Sequence, residues 1–84
     1  YLRNLPVETL KIDKSFIDRI DEDQVQEGFI RSIIDMAHVL NLKVVAEGVE
    51  TESQLAKLAD FGCDSVQGYL FSRPVSQEEA IGLL

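Results

Sequence analysis

The sequence predicts an α/β protein running β-α-β-α-β-α, and three observations carry that prediction. The segment Glu8–Asp13 alternates polar and apolar residues, and the β-branched run Leu42–Ala46 reads as a second strand. Between and after them, apolar residues recur at helical spacing with cap signals at the helix ends. The connections are long enough to cross over between parallel strands.

Taken in order, Pro6 is a turn signal, and Glu8-Thr9-Leu10-Lys11-Ile12-Asp13 gives the first short strand. Phe16, Ile17 and Ile20 form a weakly periodic segment that leads into the acidic cluster Asp21-Glu22-Asp23, a solvated helix start. Asp23 with Gln26 resembles a capping box, and Phe29, Ile30, Ile33, Ile34, Ala37 and Leu40 then share one helical face. This helix should end near Asn41, which tolerates a left-handed cap. Leu42–Ala46, closing at Glu47-Gly48-Val49-Glu50, reads as a strand buried on both faces. Thr51 and Gln54 form a second capping box, followed by Leu55, Leu58 and Ala59 on one face and a Gly62 stop. Val66–Phe71 gives the third strand, and Arg73-Pro74 breaks it. Ser76, boxed with Glu79, opens a last helix through Ala80, Leu83 and Leu84.

Eighty-four residues allow one small core and no second domain. A chain this short buries only about 60–65% of its unfolded surface, so its independence as a folding unit is in question. With 45% apolar and 27% charged residues the composition is that of a soluble globular segment and argues against disorder. The 8 Lys and Arg face 15 Asp and Glu, a net of −7 split −3 and −4 between residues 1–42 and 43–84. No basic face stands out, so a nucleic-acid polymer is disfavoured as partner. An anionic ligand would have to be held by a few placed cations, helix N-termini or bound metal ions.

Cys63 is the sole cysteine, so no internal disulfide can form; the chain reads as intracellular, with Cys63 a small buried hydrophobe. No apolar stretch approaches the ~18 residues of a membrane span, which predicts no membrane insertion. A start at Tyr1, with neither a signal-peptide core nor an initiator Met, raises the expectation of a piece cut from something longer.

Two architectures compete on this pattern, a piece of a doubly wound sheet and three-eighths of a (β/α)8 barrel. Scaling 84 residues by 8/3 gives about 224, inside the range for such barrels. No G-x-G-x-x-G fingerprint is present, which lowers the dinucleotide-binding reading. In either architecture the carboxyl ends of the strands form the ligand face. A polar residue breaks each apolar run there: Lys11, Glu47 and Gln67.

Each has a chemical reading and a plain one. Lys11 could neutralise charge on a phosphate or hold a water, or it could be an ordinary solvent-facing strand lysine, or one paired with Asp13. Glu47 emerges where a buried strand becomes a loop, which suits metal ligation by oxygen or general base work, and equally a carboxylate that only caps the next helix. Gln67, beside Gly68, could orient a water or a ligand oxygen, or be a satisfied buried amide. Glu50 reads as bracing the loop or the helix start. His38 has no second histidine to pair with and reads as structural.

Three stretches in this order, Leu5–Ile17, Val45–Thr51 and Gln67–Pro74, carry a resemblance that covers essentially residues 1–84. The chain resembles the C-terminal third of an EAL domain, the family of bacterial, cytoplasmic cyclic di-GMP phosphodiesterases. The resemblance implies the last three units of a TIM-like barrel, incomplete as a barrel by itself. It implies a two-metal site, with Mg²⁺ or Mn²⁺, that opens one phosphodiester of cyclic di-GMP to give linear pGpG. By similarity Lys11 holds water and phosphate, Glu47 is a metal ligand or general base, Gln67 lines the site, and Glu50 steadies a neighbouring loop at the metal site and dimer interface. The Glu-Ala-Leu signature and the Asp-Asp-Phe-Gly loop of the family do not occur in these residues. The chain alone is therefore expected to be inactive and, with open strand edges, to self-associate. The alternative that the resemblance leaves is a fragment of a degenerate domain that binds cyclic di-GMP or a protein without cleaving it.

Overall fold

The computed structural model describes residues 8–68 and 71–76. Its elements are β1 (Thr9–Ile12), α1 (Lys14–Ile17), α2 (Gln24–Val39), β2 (Lys43–Val49), α3 (Glu52–Asp60), β3 (Ser65–Gly68) and β4 (Phe71–Ser76).

Local side-chain chemistry sets the helix boundaries. Asp13 stops β1 and caps α1, its carboxylate accepting from the Ser15 hydroxyl at 2.7 Å and amide at 3.0 Å. Those two bonds hold the Asp13 carboxyl below its ordinary value. Asp23 caps α2 by accepting from the Gln26 amide at 2.8 Å. At the other end Asn41 takes the left-handed conformation expected of it, with φ 63°. The Thr51–Gln54 capping box is complete: Thr51 Oγ1 accepts from Gln54 N at 3.0 Å, and Gln54 Oε1 accepts from Thr51 N at 3.2 Å. Gly62, at φ 85°, follows the end of α3.

The four strands form one sheet in the order β1-β2-β3-β4. β1, β2 and β3 are parallel, as the long connections predicted. The predicted third strand, Val66–Phe71, is a correction: it divides into β3 and β4, which pair antiparallel with Gly68 opposite Phe71 and Val66 opposite Val75. Arg73-Pro74 accordingly lies inside β4 and does not break the strand. β4 is the outermost strand, the place where a sheet tolerates proline because the missing N–H need not serve a ladder. Ser76 ends β4, and the predicted last helix beyond it lies outside the described residues.

Strand alternation divides the sheet into two unlike faces. Ile12, Val44, Ala46 and Val66 point to one face and pack in a single core with Ile30, Ile34 and Ala37 of α2 and Leu55 and Leu58 of α3. Ile17, Ile20, Phe61 and Cys63 close that core. Each fully buried aliphatic side chain there contributes about 1.5–3 kcal/mol relative to exposure. Lys11, Val45, Glu47, Ser65 and Gln67 alternate to the opposite face. Val45 is only 9% exposed, yet it belongs to no part of the helix-covered core.

The amino ends of the strands are tied by polar contacts. Asp64, just before β3, accepts from Val44 N at 2.8 Å and contacts His38 Nε2 at 2.7 Å. Partial burial works to raise the Asp64 carboxyl, but the bonds from His38 and Val44 outweigh it and leave the group below its ordinary value. His38 thus joins the end of α2 to the start of β2 and β3, in keeping with a structural reading. Cys63 is buried, with its thiol against the Ser65 carbonyl at 3.3 Å and pushed up by burial to about 11.

The apolar face of α2 is wider than the core it feeds. Phe29 and Leu40, on that face, remain 47% and 65% exposed. They line a groove of about 360 Å³ beside β1 with Leu10, Ile33, Met36 and Leu42. Gly28, within α2, has open space where a Cβ would stand. Gly28→Ala should therefore stabilise the protein by about 0.5–1 kcal/mol, read as a higher denaturant midpoint at unchanged slope.

Candidate active site at the carboxyl ends of the parallel strands

Residue register places the three predicted site residues on one surface. Lys11 pairs with Val45, two residues before Glu47, and Glu47 pairs directly with Gln67. Neighbouring strands lie about 4.8 Å apart and rise about 3.3 Å per residue, so the Lys11 and Glu47 backbones are roughly 8 Å apart. Gln67 stands about 5 Å beyond Glu47. All three lie within the last three residues of their strands, at the ends where α/β sheets bind ligands.

Their side chains are free of the other described residues. Lys11 is exposed, and Glu47 and Gln67 are half-buried. No hydrogen bond or ion pair to another described residue engages the three side chains. That contrasts with Lys14, Lys57, Asp21 and Asp64, which are all paired. Lys11 is exposed, as its solvent-facing reading has it, while Asp13 is bound to Ser15 and no contact from Lys11 to Asp13 or from the Gln67 amide to another described residue is present.

Immediately after Glu47 the strand bulges. The β2–β3 register shifts between Glu47 and Val49, and Gly48 has φ 74°, a conformation that glycine adopts without steric cost. Gly68 faces that bulge so closely that a Cβ on it would lie 2.7 Å from both the N and C of Val49. Close backbone approach is what the Gln67-Gly68 pair requires.

Glu50 is brought near but not onto this face. Its carboxylate pairs with Lys14 Nζ, which also binds Asp18 at 2.8 Å. The hydrogen bonds to Asp18 and then to Glu50 raise Lys14 above its ordinary value. Gln54, the one buried polar residue described, accepts from Glu50 N at 2.7 Å and donates to the Ile17 carbonyl at 3.4 Å. Lys14 was not singled out in the sequence as part of this arrangement. Its i,i+4 spacing to Asp18 is a visible signal, whereas its partner Glu50 lies 36 residues on.

Glu47 has the hard carboxylate oxygens that Mg²⁺ or Mn²⁺ prefers. Among the described residues no group of three or more His, Cys, Asp or Glu could hold a metal ion. Glu50 is already committed to Lys14, so these residues do not by themselves fit a two-metal centre. No described helix is long and apolar enough to cross a membrane.

Comparison with known proteins gives the family. The cyclic di-GMP phosphodiesterase NbdA of Pseudomonas aeruginosa is 56% identical over 75 residues, 89% of this chain and 10% of NbdA. The solved structure of the MucR phosphodiesterase in complex with c-di-GMP is 44% identical, with a TM-score of 0.73, over 95% of this chain and 32% of that one. The EAL enzyme Bd1971, solved with cAMP bound, gives a TM-score of 0.75 at 38% identity over 99% of this chain and 23% of its own. This chain spans about a tenth of the length of the curated relatives it matches. The sequence profile of the EAL domain matches residues 1–74, which include Lys11, Glu47, Glu50 and Gln67. The chain belongs to the EAL domain family.

Proposed function

We propose that this chain is the part of a cyclic di-GMP phosphodiesterase that supplies Lys11, Glu47 and Gln67 to the active site. The observation that carries this reading is their placement, side by side, unengaged by other described residues and at the carboxyl ends of three parallel strands, on the sheet face that the described helices leave uncovered. A closed (β/α)8 barrel turns that face inward, and we assign β1, β2 and β3 to its last three units.

In the proposed reaction, a water oxygen bonds to one phosphorus of cyclic di-GMP, the P–O3′ bond breaks, and linear pGpG results. The Lys11 ammonium offsets charge that grows on the phosphoryl oxygens. Gln67 presents an amide that can orient water or a phosphate oxygen. Glu47 would take a proton from the water, or would join carboxylates from other parts of the domain in holding Mg²⁺ or Mn²⁺, which would supply polarisation of the phosphoryl group and a more acidic water. The setting we assign is the bacterial cytoplasm, where this nucleotide serves as a signal.

The experiment is product analysis. The full-length protein with Mn²⁺ should release pGpG from cyclic di-GMP, and the 84-residue chain alone should release none and sediment as an oligomer through its open β1 edge and the groove beside it. Binding without cleavage by the full-length protein would favour a degenerate receptor domain. Product release by the isolated chain would refute the requirement for the rest of the domain.

A further inference from the structure

We propose that Lys14 is a positioning residue for Glu47, acting through the Gly48 bulge and the Glu50 carboxylate; this rests on the phosphodiesterase reading above. The direction in which Glu47 leaves the sheet depends on the residue that follows it. Gly48 sits at positive φ, where the ladder slips by one residue, and a bulge re-aims the side chain next to it.

Lys14 is what occupies the space over that bulge. A Cβ placed on Gly48 would stand 2.6 Å from Lys14 Cβ and 2.8 Å from Lys14 Cδ, so the lysine stem lies directly across the glycine. Its ammonium is bound at the far end, which favours this position of the stem. Nζ binds Asp18, one turn along from Lys14, and Glu50, two residues beyond the bulge. From the other side Gln54 fixes the same loop through the amides of Glu50 and Thr51, and reaches Ile17 as well. The loop after Glu47 is therefore pinned from α1 and from α3 at once.

Exposure decides what this clamp is for. Lys14 and Glu50 side chains are both 51% exposed, and an ion pair so placed adds little to folding stability. Its consequence is geometric, and geometry at a catalytic carboxylate is sensitive: a misplacement of about 1 Å can cost on the order of 100-fold in rate. Glu50 on this account does its work from a distance, as the anchor of Lys14.

The test uses the full-length protein and compares Lys14→Ala, Lys14→Met, Lys14→Arg and Glu50→Gln with Mn²⁺ and cyclic di-GMP. Lys14→Ala should lower kcat by about 10- to 100-fold with KM within about twofold and the melting temperature little changed. Lys14→Met keeps the stem and loses the anchor, and should fall between Lys14→Ala and the wild type. Lys14→Arg should restore most of the rate. Because both residues act through one clamp, the Lys14→Ala, Glu50→Gln double variant should be no slower than the slower single variant. Unchanged kcat in Lys14→Ala, or losses that multiply in the double variant, would overturn the proposal. If the wild-type protein releases no product, the phosphodiesterase reading fails, and the clamp is judged by amide NMR. Lys14→Ala must then shift the Glu47 and Gly48 resonances, and unshifted resonances would overturn it.

Discussion

Glu47→Gln in the full-length protein should lower the rate of cyclic di-GMP hydrolysis by about 10²- to 10⁴-fold, the usual contribution of a positioned carboxylate in proton transfer. The substitution keeps the volume and the half-buried setting and removes only the negative charge. No described residue hydrogen-bonds or pairs with the Glu47 side chain, so the change breaks no contact that holds the fold. The neighbouring Gln67, at matched register, supplies an amide but no charge and cannot replace it. A carboxylate that served merely as a cap for α3 would behave otherwise, and Thr51 already fills that role. Initial rates of pGpG release, taken with melting curves for both proteins, separate the alternatives. A rate within twofold of wild type at unchanged stability would remove Glu47 from the chemistry.

Gly68→Ala should be the most destabilising small substitution among the described glycines. The added methyl would press against the Val49 carbonyl oxygen and stand 2.7 Å from the Val49 N and C. Those are backbone atoms of the adjoining strand, so no side chain can swing aside, and β3 must part from β2 at the bulge. Overpacking of this kind costs about 3 kcal/mol, against a total stability on the order of 5–15 kcal/mol for a native domain. In the full-length protein the melting temperature should fall by about 10 °C. Activity should fall with it, because Gln67 adjoins the displaced residue and would lose register with Glu47. Gly28→Ala is the internal contrast, since it adds the same methyl in open space and should raise stability. Calorimetry showing Gly68→Ala within 2 °C of wild type would contradict this packing.

What the sequence made legible was local. The Asp23 and Thr51 caps, the Asn41 and Gly62 stops and the three parallel strands follow from spacings of a few residues, and the structure shows them. The candidate site residues share a face for a similar reason: a single polar residue in a strand otherwise apolar marks one face, and Lys11, Glu47 and Gln67 fall on the same one. The division of Val66–Phe71 was hidden, because the run is continuous and Gly68 reads as a close approach within one strand; the antiparallel return depends on pairing Gly68 with Phe71. How far the α2 face is covered was not legible either. Periodicity marks Phe29 and Leu40 as apolar on one side, but whether they are covered depends on what stands beside β1. The Lys14–Glu50 pair escaped for a third reason, that ionic partners 36 residues apart leave no periodic trace.

The central claim is that the sheet face carrying Lys11, Glu47 and Gln67 is where cyclic di-GMP is handled, and locating the nucleotide tests it most directly. A crystal structure of the full-length protein with cyclic di-GMP should place one phosphate within hydrogen-bond reach of Lys11 Nζ, with Glu47 and Gln67 beside the same phosphorus. A nucleotide seated elsewhere, with Lys11, Glu47 and Gln67 free of it, would contradict the account.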